Sequence, residues 1–143
     1  MIVVGLDPDS KKHGIAIYVD GALSELMTLD LVELRKWLDE QEGDITFSIE
    51  NVLAQNFVYN RNAKASKSAH AKVALSVGRC QQAQEEVMRE LTDRSVPFVL
   101  HKPTKANWAK NKAQFERFTG WTGRSNEDTR SAAYFGFIVA RKR

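Results

Sequence analysis

Cysteine occurs once in this chain of 143 residues and proline three times. The lone Cys80 excludes an intrachain disulfide and a cysteine-rich zinc site. No apolar run approaches the ~18 residues of a membrane span, and the start lacks the basic-then-apolar pattern of an export signal. No membrane partner is implied, and a cytoplasmic protein is the expectation. Three histidines, His13, His70 and His101, are scattered without ligand spacing and read as turn or surface residues. Acids are also missing from two long stretches. Residues 51–84 hold none but carry Arg61, Lys64, Lys67, Lys72 and Arg79, and residues 99–115 hold none but carry Lys102, Lys105, Lys110 and Lys112. With a net charge of only +3, this segregation points to a polyanion-facing surface; a solvated lysine-rich face is the plainer alternative.

What is present suits one domain spanning residues 1–143, long enough to bury a core without staples. Residues 2–6 are an apolar, β-branched run that ends in Asp7-Pro8-Asp9-Ser10. Pro8 biases Asp7 away from the α region, and Asp9 and Ser10 can bond their own backbone, so a strand stops at a turn. Further strands are expected over 14–19, 23–29, 45–49 and 98–100. Asp30 with Glu33 forms a capping box for a helix that ends near Gly43. A long helix is expected over 71–93, with Val77, Cys80, Val87 and Leu91 along one stripe. Thr104 caps a basic helix to about 118, a glycine-flanked loop displays Trp121, and a last helix starts at Ser125. Trp37 and Trp108 read as helix packing residues. Strands and helices in this order imply an α/β architecture with a mixed sheet.

Three carboxylates stand out. Asp7 and Glu50 each lie at a strand end, and Asp128 heads the apolar stripe Ala132, Phe135 and Ile138 or Val139 of the last helix. Asp7 alone is also a turn former, and Ser125 with Asp128 is also a capping box. Taken together, three hard oxygen donors without His or Cys partners favour Mg²⁺ or Mn²⁺ over zinc. Two such ions about 4 Å apart can clamp the attacking and leaving oxygens of a phosphodiester. Ser131 is not read as a nucleophile, because no histidine is placed to activate it.

The opening GLDPDSKKHGIAI, followed in order by FSIENV, LSVGRCQQA, VPFVLHKPTKANW and EDTRSAAYFGF, resembles RuvC-type Holliday junction resolvases, in a short, divergent or phage-type form. The resemblance implies a ribonuclease H-like fold: a mixed five-stranded sheet flanked by helices. It further implies a homodimer acting on branched DNA by metal-dependent phosphodiester hydrolysis. On it, Asp7, Glu50 and Asp128 match metal-binding acids, and Lys105 matches the catalytic-site lysine. There are departures. The last acid of the family pattern is Ser131 here, so either Asp128 suffices, or Glu127, Asp9 or Ser131 itself contributes a ligand, or the site is weakened. Leu53 replaces an aromatic; Phe57 or Tyr59 is the candidate for its base-stacking role, with a core role for Phe57 as the alternative. Arg61, Lys64, Lys67, Lys72, Lys110 and Lys112 are the expected phosphate contacts. Two alternatives stand beside the nuclease: a non-cleaving junction-binding module with a degraded metal site, and an RNA-directed nuclease of the same fold.

Overall fold

The computed structural model describes residues 1–54 and 67–142. Strands β1 (Ile2–Asp7), β2 (His13–Val19) and β3 (Ala22–Leu29) form an antiparallel meander. Helix α1 (Leu31–Glu40) leads to β4 (Ile45–Glu50), which runs parallel to β1. A 3₁₀ turn, Val52–Ala54, follows β4, and helix α2 (Lys67–Asp93) leads to β5 (Phe98–His101), parallel to β4. Helices α3 (Lys112–Thr119) and α4 (Glu127–Ala140) complete the order. The five strands make one mixed sheet, β3-β2-β1-β4-β5, with β1 at its centre.

The central position of β1 explains its composition. Val3, Val4 and Leu6 are all buried, because both faces of the strand are covered. On one face Val4, Leu6, Ile15, Ile17, Phe47 and Ile49 pack with Leu34 and Leu38 of α1 and Val87 and Leu91 of α2. Each such side chain contributes ~1.5–3 kcal/mol of burial. The other face carries Val3, Ala16 and Tyr18 and receives α4 through Ala132, Ala133 and Ala140. Helix α4 lies unusually close to the sheet because Gly5 and Gly14 have no side chain: a Cβ on Gly5 would collide with the Ala132 carbonyl, and one on Gly14 with the Asp128 carbonyl. Tyr18 Oη and Ser48 Oγ donate at 2.6 Å to the carbonyls of Ala133 and Phe135, fixing the helix against β2 and β4.

Several expectations need correction. Helix α2 begins at Lys67, four residues before the expected start, and its apolar Val73 and Leu75 are exposed while Gln84, Val87 and Leu91 are buried. The basic helix expected from Thr104 is instead an irregular loop, and α3 starts only at Lys112 with Asn111 as its cap. The reason is tertiary. Trp108 is buried with a left-handed backbone (φ 65°), packed among Phe115, Phe118, Tyr134 and Phe137. A helix cannot pass through that residue. Trp121 is half-buried against the same core rather than displayed, with its indole N–H donating to the Arg124 carbonyl at 3.0 Å. Among the described residues no helix is long and apolar enough to cross a membrane.

Candidate metal centre

The site grows out of sheet register. Asp7 pairs with Gly14 of β2, and its neighbour Leu6 pairs with Ile49 of β4, so Asp7 and Glu50 end adjacent strands. Adjacent strands lie about 4.8 Å apart, and alternation puts both side chains on the face that Gly5 and Ser48 show to α4. Asp7 and Glu50 meet there in a hydrogen bond. The third acid arrives on α4. Its side chain packs over Gly14, one strand across from Asp7, where the Asp128 Cβ would lie 3.1 Å from a Cβ on residue 14.

Helix capping decides how Asp128 is used. The expected box of Ser125 with Asp128 is displaced by one residue: Asn126 Oδ1 accepts from Thr129 N at 2.8 Å, and Thr129 Oγ1 accepts from Asn126 N at 2.9 Å. Both pairings fit a capping pattern, but the observed one leaves the Asp128 carboxylate out of the cap. Asp9, by contrast, spends its Oδ1 on Lys11 N at 2.9 Å, while its own N–H donates to Nδ1 of the buried His13 at 3.1 Å. Glu127 is exposed and pairs with Lys110 at 3.1 Å. Both therefore have other engagements.

Electrostatics mark this cluster as costly. Burial, then the charge of Glu50 beside it, pushes the Asp7 pKa up to about 9. Burial also raises Glu50, against hydrogen bonds from Asp7 and Asn107 that favour its ionised form. Partial burial raises Asp128 too, helped by Asp9 and Glu127. The pair thus holds one proton, which Asp7 donates to Glu50. No lysine or arginine forms an ion pair with Asp7, Glu50 or Asp128 among the described residues. Ser131 is buried beside Asp7, yet its Oγ has no hydrogen-bond partner at ordinary geometry.

These residues suit a hard divalent cation: oxygen donors only, excess negative charge, and an orphaned hydroxyl facing them. Asp7 and Glu50 are the touching donors, and Asp128 stands at the exposed rim. Among the described residues no three His, Cys, Asp or Glu side chains gather tightly enough to enclose an ion by themselves.

Elsewhere the predicted residues scatter. Phe57, Tyr59, Arg61 and Lys64 lie outside the described residues. Lys67 and Lys72 are exposed near the start of α2. Lys105 is exposed on the loop after β5, and Lys112 pairs weakly with Glu116 at 3.9 Å. One residue escaped notice in the sequence, and two histidines expected at turns or the surface are placed otherwise, of which His13 is buried at the start of β2. Gln84, fully buried, accepts through Oε1 from Val52 N at 2.8 Å and donates through Nε2 to Asn51 Oδ1 at 2.9 Å, locking the turn that follows Glu50. Its spacing with Cys80, Val87 and Leu91 was the available signal. The other histidine is His101, which is not a turn or surface residue. It pairs with Glu50 in the β4–β5 register and stacks on Phe135. Ser48 gives its only proton to the Phe135 carbonyl, so His101 Nε2, 2.7 Å from Ser48 Oγ, is the donor in that contact.

No family model and no curated protein matches the chain. Solved structures do. The RuvC of Thermus thermophilus in complex with Holliday junction substrate is similar at a TM-score of 0.55 and 18% identity, over 99% of this chain and 96% of that one. A second structure of Thermus thermophilus RuvC gives 0.50 and 16% over the same shares. At that identity the likeness concerns the fold: the chain has the RuvC-like, ribonuclease H-like architecture.

Proposed function

We propose that this chain is one RuvC-like nuclease domain, a divalent-metal-dependent endonuclease that cuts branched DNA, with four-way junctions as its substrate class. The observation that carries this reading is the facing Asp7–Glu50 pair, buried with no lysine or arginine among the described residues paired to it. In the free protein the pair persists by holding a proton; a divalent cation from outside the chain would replace that proton and supply the missing positive charge. The RuvC-like fold, in a neighbour solved with Holliday junction substrate, supports the choice of DNA.

Asp7, Glu50 and Asp128 would hold Mg²⁺ or Mn²⁺, which when bound activates water and stabilises the leaving 3′ oxygen. The chain's own contribution is placement. β1 and β4 fix the first two carboxylates side by side, and the close seating of α4 on Gly14 brings Asp128 to the rim. The exposed Lys105, with Lys110 and Lys112 beyond it, offers charge to flanking phosphates. The exposed ion pairs of Lys110 with Glu127 and Lys112 with Glu116 contribute little and exchange readily for a phosphate. Two copies in a homodimer would face the two equivalent strands of a junction.

Incubating the protein with Mg²⁺ and an end-labelled four-way junction tests this. Paired nicks in opposed strands, lost in Asp7→Asn, are expected; matched RNA junctions should stay intact. One observation favours a second reading: Asp128 stands apart from the touching pair, with Ser131 where a further acid would complete the set. On that reading the protein binds junctions without cutting them, and tight binding with no nicks in either metal is its outcome.

A further inference from the structure

The surface where α3 meets the last turns of α4 carries an aromatic ring that the core leaves half uncovered. Phe118 is 50% exposed, although it adjoins the buried aromatic cluster. Its ring stacks on the indole of Trp108, with centroids 5.9 Å apart and planes within 14°, and Phe137 meets it edge-on at 6.2 Å. Trp108 holds a left-handed backbone that a bulky residue adopts only under constraint, and burial fixes its ring beneath Phe118. Two arginines frame these rings. Arg117 Cζ lies 5.7 Å from the Phe118 centroid, and Arg141 Cζ lies 5.8 Å from that of Phe137. Both arginines are exposed, and among the described residues neither forms a salt bridge. Acids are scarce in this part of the chain. Residues 99–143 hold ten lysines and arginines against Glu116, Glu127 and Asp128, and the last two sit at the opposite end of α4.

We propose that Phe118, Arg117 and Arg141 form a binding site for single-stranded nucleic acid. An unpaired base stacks against the open part of the Phe118 ring, and the two guanidinium groups take the flanking phosphates. An apolar protein partner would cover both cations without an opposite charge, and an acidic peptide would leave the ring without a flat partner. A nucleic-acid strand supplies a π face and anionic oxygens together. A guanidinium that rests on a ring can keep that contact while its fork of N–H groups binds a phosphate. The site is separate from the candidate metal centre and goes beyond the nuclease reading. Asp128 lies in the first turn of α4 and Arg141 caps its end, ~20 Å away at 1.5 Å per residue. That span matches about six nucleotides of a stacked strand at 3.4 Å each.

The test uses the full chain in EDTA with fluorescein-labelled oligo-dT and oligo-rU, followed by polarisation across a range of salt. Phe118→Ala should weaken binding about 10-fold, and Phe118→Tyr, which keeps the π face, should bind like wild type. Arg117→Ala and Arg141→Ala should each weaken binding and lower the slope of log Kd against log salt by about 0.7. Should Phe118→Ala fail to fold, Phe118→Leu, apolar but without a π face, takes its place with the same expected loss. Loss of binding to either strand in the Phe118 and arginine variants supports the site, and the strand bound more tightly names the sugar. A wild type that binds neither strand would overturn the proposal. So would a loss confined to the arginine variants, which leaves only general phosphate attraction, or a self-association abolished by Phe118→Ala with strand binding unchanged. Junction nicking reports the metal centre independently. Strand binding through Phe118 in a protein that nicks no junction sinks the nuclease reading alone, and nicking with wild-type strand binding in every variant sinks this proposal alone.

Discussion

Two clusters of charge in this molecule solve opposite problems. Across α1 and α2, Glu90 accepts from Arg35 Nε at 2.6 Å and Arg94 Nε at 2.7 Å, and Arg94 Nη1 reaches Asp39 at 2.7 Å. Every charge there has an opposite partner. At the ends of β1 and β4, Asp7 meets Glu50, and no lysine or arginine among the described residues pairs with them. The first cluster is a local fastening between two helices, with a modest net contribution. The second costs stability in the free protein, and the fold maintains it by close packing of α4. The contrast separates matched charge near the surface, which fastens two helices, from a buried carboxyl pair that shares a proton, which is the pattern the proposed function assigns to a cation.

The largest expected effect comes from removing one member of the unmatched pair. Glu50→Gln should lower nicking by roughly 10³-fold or more, because Glu50 would hold the cation that compensates charge on the leaving oxygen. The same change at Glu90, Glu90→Gln, should leave nicking intact. Burst-free initial rates on a labelled junction would show the split. Next is the packing that holds the pair under α4. Gly14→Ala drives a methyl group into the Asp128 carbonyl and should cost about 2–4 kcal/mol, seen as a fall in denaturation midpoint together with loss of nicking.

The clusters should also separate by pH. Asp7 has a folded pKa of about 9 against 3.8 when unfolded, so the folded state holds that proton longer. Its favourable effect is complete below pH 3.8 and is lost as pH rises toward 9, so metal-free stability should decline across that window by of order 1–3 kcal/mol. Glu90 runs the other way. Its arginine partners hold its pKa below the ordinary 4.5, so its contribution is present above that value and fades as pH falls beneath it. Urea midpoints from pH 5 to 9, compared between wild type and Asp7→Asn, check the first trend. The smallest effect is the stability cost of Glu90→Gln, expected at ~0.5–1 kcal/mol.

Much of this was legible in the chain itself, for identifiable reasons. Asp7 and Glu50 were visible because each follows a β-branched or alternating run that stops at a turn or a strand end. Asp128 was visible because it heads an apolar stripe of period 3.6. The sheet followed from the strand order. The loop around Asn107 was not legible. Thr104 looks like a cap, and the lysines after it look like a helix surface, because nothing local announces a left-handed tryptophan. That conformation is imposed by aromatic residues on α3 and α4, far along the chain for the latter. The shift of the α4 cap by one residue was equally hidden, since Ser125 with Asp128 and Asn126 with Thr129 both fit a capping pattern. His101 was misplaced because its partners, Ser48 and Phe135, come from other elements.

The most direct test compares thermal melting of wild type and Asp7→Asn, each with and without Mg²⁺. Relief of the cost of keeping Asp7 protonated above its unfolded pKa should make metal-free Asp7→Asn melt several degrees above metal-free wild type, at about 4 °C per kcal/mol. Saturating Mg²⁺ should raise the wild type by a similar amount and leave the variant nearly unmoved. A wild type indifferent to Mg²⁺, with Asp7→Asn melting lower, would contradict the claim that this carboxylate pair is built to receive a cation.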